Sequence, residues 1–167
     1  MTTPDPAIPS HPTAQTNPRD HAQPEVIARG LIIEAGKVLV CQNLAKGYSY
    51  LPGGHVDPGE TAAAALAREF LEECGLGVEV KDPAVICELV TGPDDGSLHE
   101  YSMVFHVERR GSDEPCSPVE SRENHIGFVW LDLAAVVDAD LRPTPIKAWI
   151  ASGGSVQGPA VPFVTGG

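Results

Sequence analysis

One segment restricts the architecture of this chain more than any other. Pro52-Gly53-Gly54 and Pro58-Gly59 are followed by a helix-forming run from about Thr61 to Cys74, with Gly75 placed as its stop. Glycine and proline at those positions permit a tight loop that brings backbone close to its surroundings. Gly75 supplies the left-handed residue at which helices commonly end. At 100° per residue, Glu69, Glu72 and Glu73 fall within an arc of about 100°. Ala63, Leu66, Phe70 and Cys74 share the adjoining arc, which is the face expected to bury. The helix must anchor by that side and project three carboxylates from the other.

A solvated acidic face is the ordinary reading of such a helix. Two features argue against it here. Like charges four residues apart destabilise a helix, and these lie near its C-terminal end, where the macrodipole disfavours anions. A hard divalent cation accounts for both, because Mg²⁺ takes oxygen ligands and keeps places for phosphate and water. Arg68 can pair with Glu72 or fold back towards Glu60, and in either pose it orients carboxylates and offsets their repulsion. Glu60 suits the positive end of the helix dipole, as a simple cap or as a support for the site.

Position by position, residues 54–76 match G-x5-E-x7-R-E-U-x-E-E-x-G-U, where U is bulky and apolar. The matching residues are Gly54, Glu60, Arg68, Glu69, Phe70, Glu72, Glu73, Gly75 and Leu76. In this the chain resembles the Nudix hydrolases, which cleave nucleoside diphosphates linked to another group. The resemblance implies an α/β fold, an α/β/α sandwich around a mixed β-sheet, with the signature as a loop–helix–loop. It implies Mg²⁺, with Mn²⁺ as a substitute, held by Glu69, Glu72, Glu73 and the Gly54 carbonyl. Catalysis would involve Glu69, Glu72, Glu73 and Arg68, with Glu60 in support. Nudix families differ in which glutamate takes the proton, and several recruit one from a loop outside the signature. Glu120 and Glu123 are the candidates here. A Nudix-like module that senses a nucleotide without cleaving it is the alternative; such modules usually lose glutamates that this chain keeps.

Three further residues are weaker candidates for substrate binding. Arg29 could contact phosphate, and Tyr50 and Phe128, like Tyr48 and Trp130, could stack on a base. Plain exposure for Arg29 and core packing for the aromatics are the commoner fates. ADP-ribose-like compounds and (deoxy)nucleoside triphosphates both remain open as substrates.

Charge restricts the partners. A formal charge of −12, from 23 acidic and 11 basic residues, argues against nucleic acid, whose binders cluster Lys and Arg. A small-molecule nucleotide is expected instead. No apolar stretch is long enough to span a membrane, and the N-terminus lacks the regions of a signal peptide. A cytoplasmic setting without a membrane partner is expected, and a homodimer is left open. Cys41, Cys74, Cys87 and Cys116 are too scattered for a zinc site or a disulfide framework.

At 167 residues the chain is one domain by length. Residues 1–24, with six prolines, form an arm with too little apolar surface to offset its ordering entropy. By the resemblance, residues 25–151 are expected to form the Nudix hydrolase domain. Residues 152–167 are a Gly/Pro-rich tail, expected to be mobile unless Val161, Phe163 and Val164 dock. Within the domain, strands are predicted at Val26–Glu34 and Lys37–Asn43, joined as a hairpin by Ala35-Gly36. Others are predicted at Tyr48–Leu51, Val85–Thr91, Leu98–Glu108 and Ile126–Leu131, with a turn-rich loop at 92–96. Asp132 could cap a short helix through Val137, and Thr144-Pro145 could begin a last one ending near Ala151.

Overall fold

The first apolar run divides between two sheets. β1 (Glu25–Leu31) ends before Ile32, and β2 (Ile33–Glu34) turns back on β3 (Lys37–Asn43). The hairpin is therefore β2–β3, not one strand from Val26 to Glu34 paired with β3. Ala35 and Gly36 make its turn with φ of 45° and 78°, the two positive values that a type I′ turn requires. Leu31 and Ile32 are buried in succession, so alternation is lost where the chain crosses over. These are findings from a computed structural model that describes residues 24–92, 98–111, 114–154 and 161–166. The proline-rich arm to residue 23, most of the 92–96 loop and part of the tail lie outside the described residues.

The short strands β4 (Ser49–Tyr50) and β5 (Gly53–His55) lead to helix α1 (Ala62–Cys74). Then come β6 (Val78–Thr91), β7 (Leu98–Arg109), β8 (Ile126–Asp132) and β9 (Leu141–Arg142). Helix α2 (Thr144–Ala151) and β10 (Phe163–Gly166) finish the fold. The larger sheet runs β10-β6-β7-β1-β5, with β1 parallel to β7 and antiparallel to β5. In the smaller sheet β3 pairs with β8 along its whole length, and also with β2 and β4; β9 lies parallel to β4.

Two cores define the layers. Ala65, Leu66 and Phe70 of α1 pack with Ala28, Phe105 and Val107. Ile146 and Ile150 of α2 pack with Leu31, Val85 and Val104. Leu31 and Val104 point away from the face that Ala28 and Phe105 present, so the helices cover opposite faces of the mixed larger sheet. This is the expected α/β/α arrangement. α1 approaches closely because Gly30 has no side chain: a Cβ there would lie 2.6 Å from the Phe70 ring.

Four local expectations change. Thr61, not Glu60, caps α1, its hydroxyl accepting from the Ala64 N–H at 3.2 Å. The buried face of α1 centres on Ala65, Leu66 and Phe70 and takes in Glu73, whereas Ala63 and Cys74 are half-buried. β6 starts at Val78 and passes Pro83 through an irregular register, as a bulge allows. Asp132 accepts from Lys37 at 2.5 Å instead of capping, and only a short 3-10 turn follows at Leu133–Ala135. The tail docks through Val164, which joins the α2 core, while Phe163 stays exposed. All four cysteines are free thiols. Among the described residues no helix is long and apolar enough to cross a membrane.

Candidate active site

The C-terminal half of α1 delivers Glu69 and Glu73 to a cavity of about 1430 Å³, walled also by β1, β4, β5, β9 and α2. Glu73 is 9% exposed, and its Oε2 is buried with no hydrogen-bond partner among the described residues. Burial above all, then the charges of Glu69 and Glu123, push its carboxyl up to about 7, against the opposing pull of Arg29 and the Gly53 backbone. Gly54 stands opposite Ala28 in the β1–β5 pairing. A Cβ at Gly54 would lie 2.5 Å from the Glu69 carboxylate carbon, so only glycine leaves that carboxylate its place against the loop.

Arg68 is the hub on the outer side. Its guanidinium donates to Glu60 at 3.1 and 3.0 Å, to Glu69 at 2.8 Å, to Glu72 at 3.1 Å and to the His55 carbonyl at 3.1 Å. Both of its anticipated pairings exist together. These bonds hold the Glu60 carboxyl below its usual range. Glu72 is half exposed and does not line the cavity. The three glutamates therefore do not share one outward face: Glu73 is inside, Glu69 lies between, and Glu72 is outside.

Arg29 lines the cavity, donating to the carbonyls of Leu51 and Gly53 at 3.2 and 3.1 Å and lying 5.2 Å from the Tyr50 ring centre. Burial pushes the Tyr50 phenol up to about 12. Phe128 is elsewhere: with Trp130 it packs into the α1-side core and does not line the cavity. The two loop glutamates separate as well. Arg122 fixes their loop to the end of α1, its backbone N–H donating to the Glu73 carbonyl at 2.7 Å and its guanidinium to that of Leu71 at 2.8 Å. Glu123 thereby acts electrostatically on Glu73 and pairs at 3.1 Å with His125, which lines the cavity. Glu120 is exposed and has no such link.

Sequence reasoning missed the wall that β9 and α2 contribute. Arg142 lies 4.5 Å over the Tyr48 ring and is held by Asp140 at 2.9 and 3.0 Å. Lys147 lines the same wall. No local pattern marks these residues; only the β4–β9 pairing brings Arg142 beside Tyr50.

Among the described residues no three His, Cys, Asp or Glu side chains converge closely enough to hold a metal ion as they stand. The donors nevertheless suit a hard cation. The unpartnered Glu73 oxygen and the Glu69 carboxylate seated on Gly54 are anionic oxygens facing one cavity.

A NUDIX domain model matches residues 23–151. The chain belongs to the Nudix family and is a Nudix hydrolase, a family that generally uses divalent metal ions. It is 35% identical over 133 residues to a Mycobacterium tuberculosis (H37Rv) protein that carries the provisional name 8-oxo-dGTP diphosphatase 2, covering 76% of this chain and 86% of that one. It is 35% identical over 99 residues to the ADP-ribose pyrophosphatase of Methanocaldococcus jannaschii, covering 57% of each. The fold is similar to the MutT protein from Methanosarcina mazei Go1, with a TM-score of 0.62 and 22% identity over 78% of this chain and 93% of that one. A Nudix hydrolase from Nitrosomonas europaea gives 0.61 and 20% over 78% and 87%.

Proposed function

We propose that this enzyme hydrolyses a phosphoanhydride bond in a nucleoside diphosphate linked to another moiety, an ADP-ribose-like compound or a (deoxy)nucleoside triphosphate. Its cofactor is Mg²⁺, with Mn²⁺ as a substitute. It acts on a free nucleotide in the cytoplasm, not on nucleic acid or at a membrane. The buried, unpartnered Glu73 oxygen beside Glu69 carries the reading, since burying a lone carboxylate is costly unless a ligand completes it. The names of the two relatives, an 8-oxo-dGTP diphosphatase and an ADP-ribose pyrophosphatase, are consistent with both substrate groups.

In this reading Glu69, Glu73 and the Gly54 carbonyl hold the cation, with Glu72 at the exposed edge of the set. A divalent cation bound there neutralises phosphoryl charge and acidifies water. Arg68 keeps Glu69 and Glu72 aligned, and Glu60 keeps Arg68 in place. Arg29 faces the phosphates and Tyr50 offers a face to the base. A carboxylate within reach of the attacking water takes its proton, and Glu123, on its fastened loop, is better placed for this than Glu120.

The test is a panel of ADP-ribose, NADH, dinucleoside polyphosphates and normal or oxidised triphosphates, with products identified. Turnover is expected to vanish on chelation and to return with Mg²⁺ or Mn²⁺. Undiminished turnover in excess EDTA, after bound metal is removed, overturns the mechanism. Tight binding without turnover of any compound favours the sensing module instead.

A further inference from the structure

On this acidic chain, five of the ten described lysines and arginines stand against carboxylates. Lys37, Arg68, Lys81, Arg109 and Arg142 each have a carboxylate oxygen within 2.9 Å. Two of the other five line the cavity. Arg29 donates only to the carbonyls of Leu51 and Gly53, and Lys147 only to the carbonyl of Ala139, at 3.2 Å; among the described residues neither has a carboxylate in direct contact. Arg29 sits beside Glu73 and is accounted for by the phosphates of the reaction. Lys147 lies on the β9–α2 wall, across the larger sheet from α1, where the reaction makes no use of a cation.

Lys147 is not alone there. Arg142 sets its guanidinium over the Tyr48 ring and donates to both Asp140 oxygens. Asp140 offsets one of the two cations, and the other carboxylate of the cavity away from α1, Glu100, accepts from the Ser102 hydroxyl at 2.5 Å. A guanidinium and an ammonium on one wall suit a phosphate, the first by its planar fork and the second as a point charge. The cavity, about 1430 Å³, exceeds the roughly 300–1,000 Å³ usual for small-ligand sites, so it has room for substrate beyond a diphosphate and one nucleoside.

We propose that Arg142 and Lys147 form a second anion site, which binds a phosphate carried on the part of the substrate remote from the scissile diphosphate. This rests on the hydrolase reading above, and it narrows the substrate to nucleotides with an additional phosphate on a sugar. Binding tests it independently of turnover. Dissociation constants of AMP, adenosine 2′,5′-bisphosphate and adenosine 3′,5′-bisphosphate are measured by calorimetry in Mg²⁺ buffer, for the full chain and for Lys147→Gln and Arg142→Gln. One bisphosphate should bind at least about tenfold more tightly than AMP, the value of one charge-assisted bond. The ratio should approach one in Lys147→Gln, fall in Arg142→Gln, and shrink as salt rises. Because the readout is a ratio within each variant, a general loss of affinity does not disturb it. Equal affinities in the wild type, or a preference that survives in both variants, overturns the inference. If the ratio holds but neither the nucleotide panel above nor an ADP-ribose phosphorylated at its 2′- or 3′-hydroxyl is hydrolysed, the second site stands and the hydrolase reading fails.

Discussion

Gly54 and Gly30 show how one missing methyl group can serve either chemistry or stability. A Cβ at Gly54 meets the end of the flexible Glu69 side chain, 2.5 Å from its carboxylate carbon. Glu69 can swing away, so Gly54→Ala should leave Tm within about 2 °C. Displacing a carboxylate that aligns a reaction should lower kcat by roughly a hundredfold. Gly30→Ala presses instead on the Phe70 ring at 2.6 Å, and overpacking a core typically costs about 1–3 kcal/mol. Urea melts and kinetics on the two variants should show opposite patterns. Glu73→Gln should cut kcat by about a hundredfold or more, since one such charge interaction is worth ~3 kcal/mol in the transition state. It also replaces a buried carboxylate that has one unpartnered oxygen with a neutral amide, so Tm in metal-free buffer should rise. Near-normal kcat at saturating Mg²⁺ would shift the metal role to Glu69 and Glu72.

Among the elements, α1 was the easiest to read. Its period and its stop at Gly75 are local and are found as expected, whereas its three glutamates do not stand on one outward face. What a helical wheel cannot give is which edge of an arc meets the sheet. That is set by Gly30 and Gly53 on neighbouring strands, and it turned Glu73 inward. β6 was half hidden because Lys81-Asp82-Pro83 has the composition of a turn, although a bulge keeps it in the sheet. The loop before β8 gave even less away, since its position depends on Arg122 gripping the last carbonyls of α1. Arg122→Ala should destabilise the fold by about 1 kcal/mol, as expected for a charge at a helix C-terminus. Its activity should fall further than stability explains, because Glu123 and His125 lose their tether, and Arg122→Lys should recover part of both. A variant with normal kcat and lowered Tm would show that the grip serves the helix alone.

Across the whole molecule, the two sheets are tied by an ion pair that no motif announced. Glu34 on β2 receives the Arg109 guanidinium of β7, which is 3% exposed and also donates to Ser117. Those bonds hold the Glu34 carboxyl below its ordinary range. For a depressed carboxylate the stabilisation is complete above the unfolded value of about 4.3 and is lost as pH falls through the lower folded value. Glu34→Gln should therefore destabilise by about 2 kcal/mol near neutrality, the value of a hydrogen bond to a charged group. The difference in Tm from wild type should stay constant down to about pH 5 and narrow towards pH 3; a pH-independent difference would assign the effect to shape, not charge. The far wall of the cavity is unreadable for a related reason: Tyr48 and Arg142 become neighbours only through the β4–β9 pairing, distant in sequence. The last strand has a practical bearing of its own. β10 sets Thr165 and Gly166 in the cavity lining, so a purification handle or fluorescent reporter joined directly to Gly166 would stand beside the residues that line the cavity. Kinetics recorded on such a fusion would describe the handle as much as the enzyme.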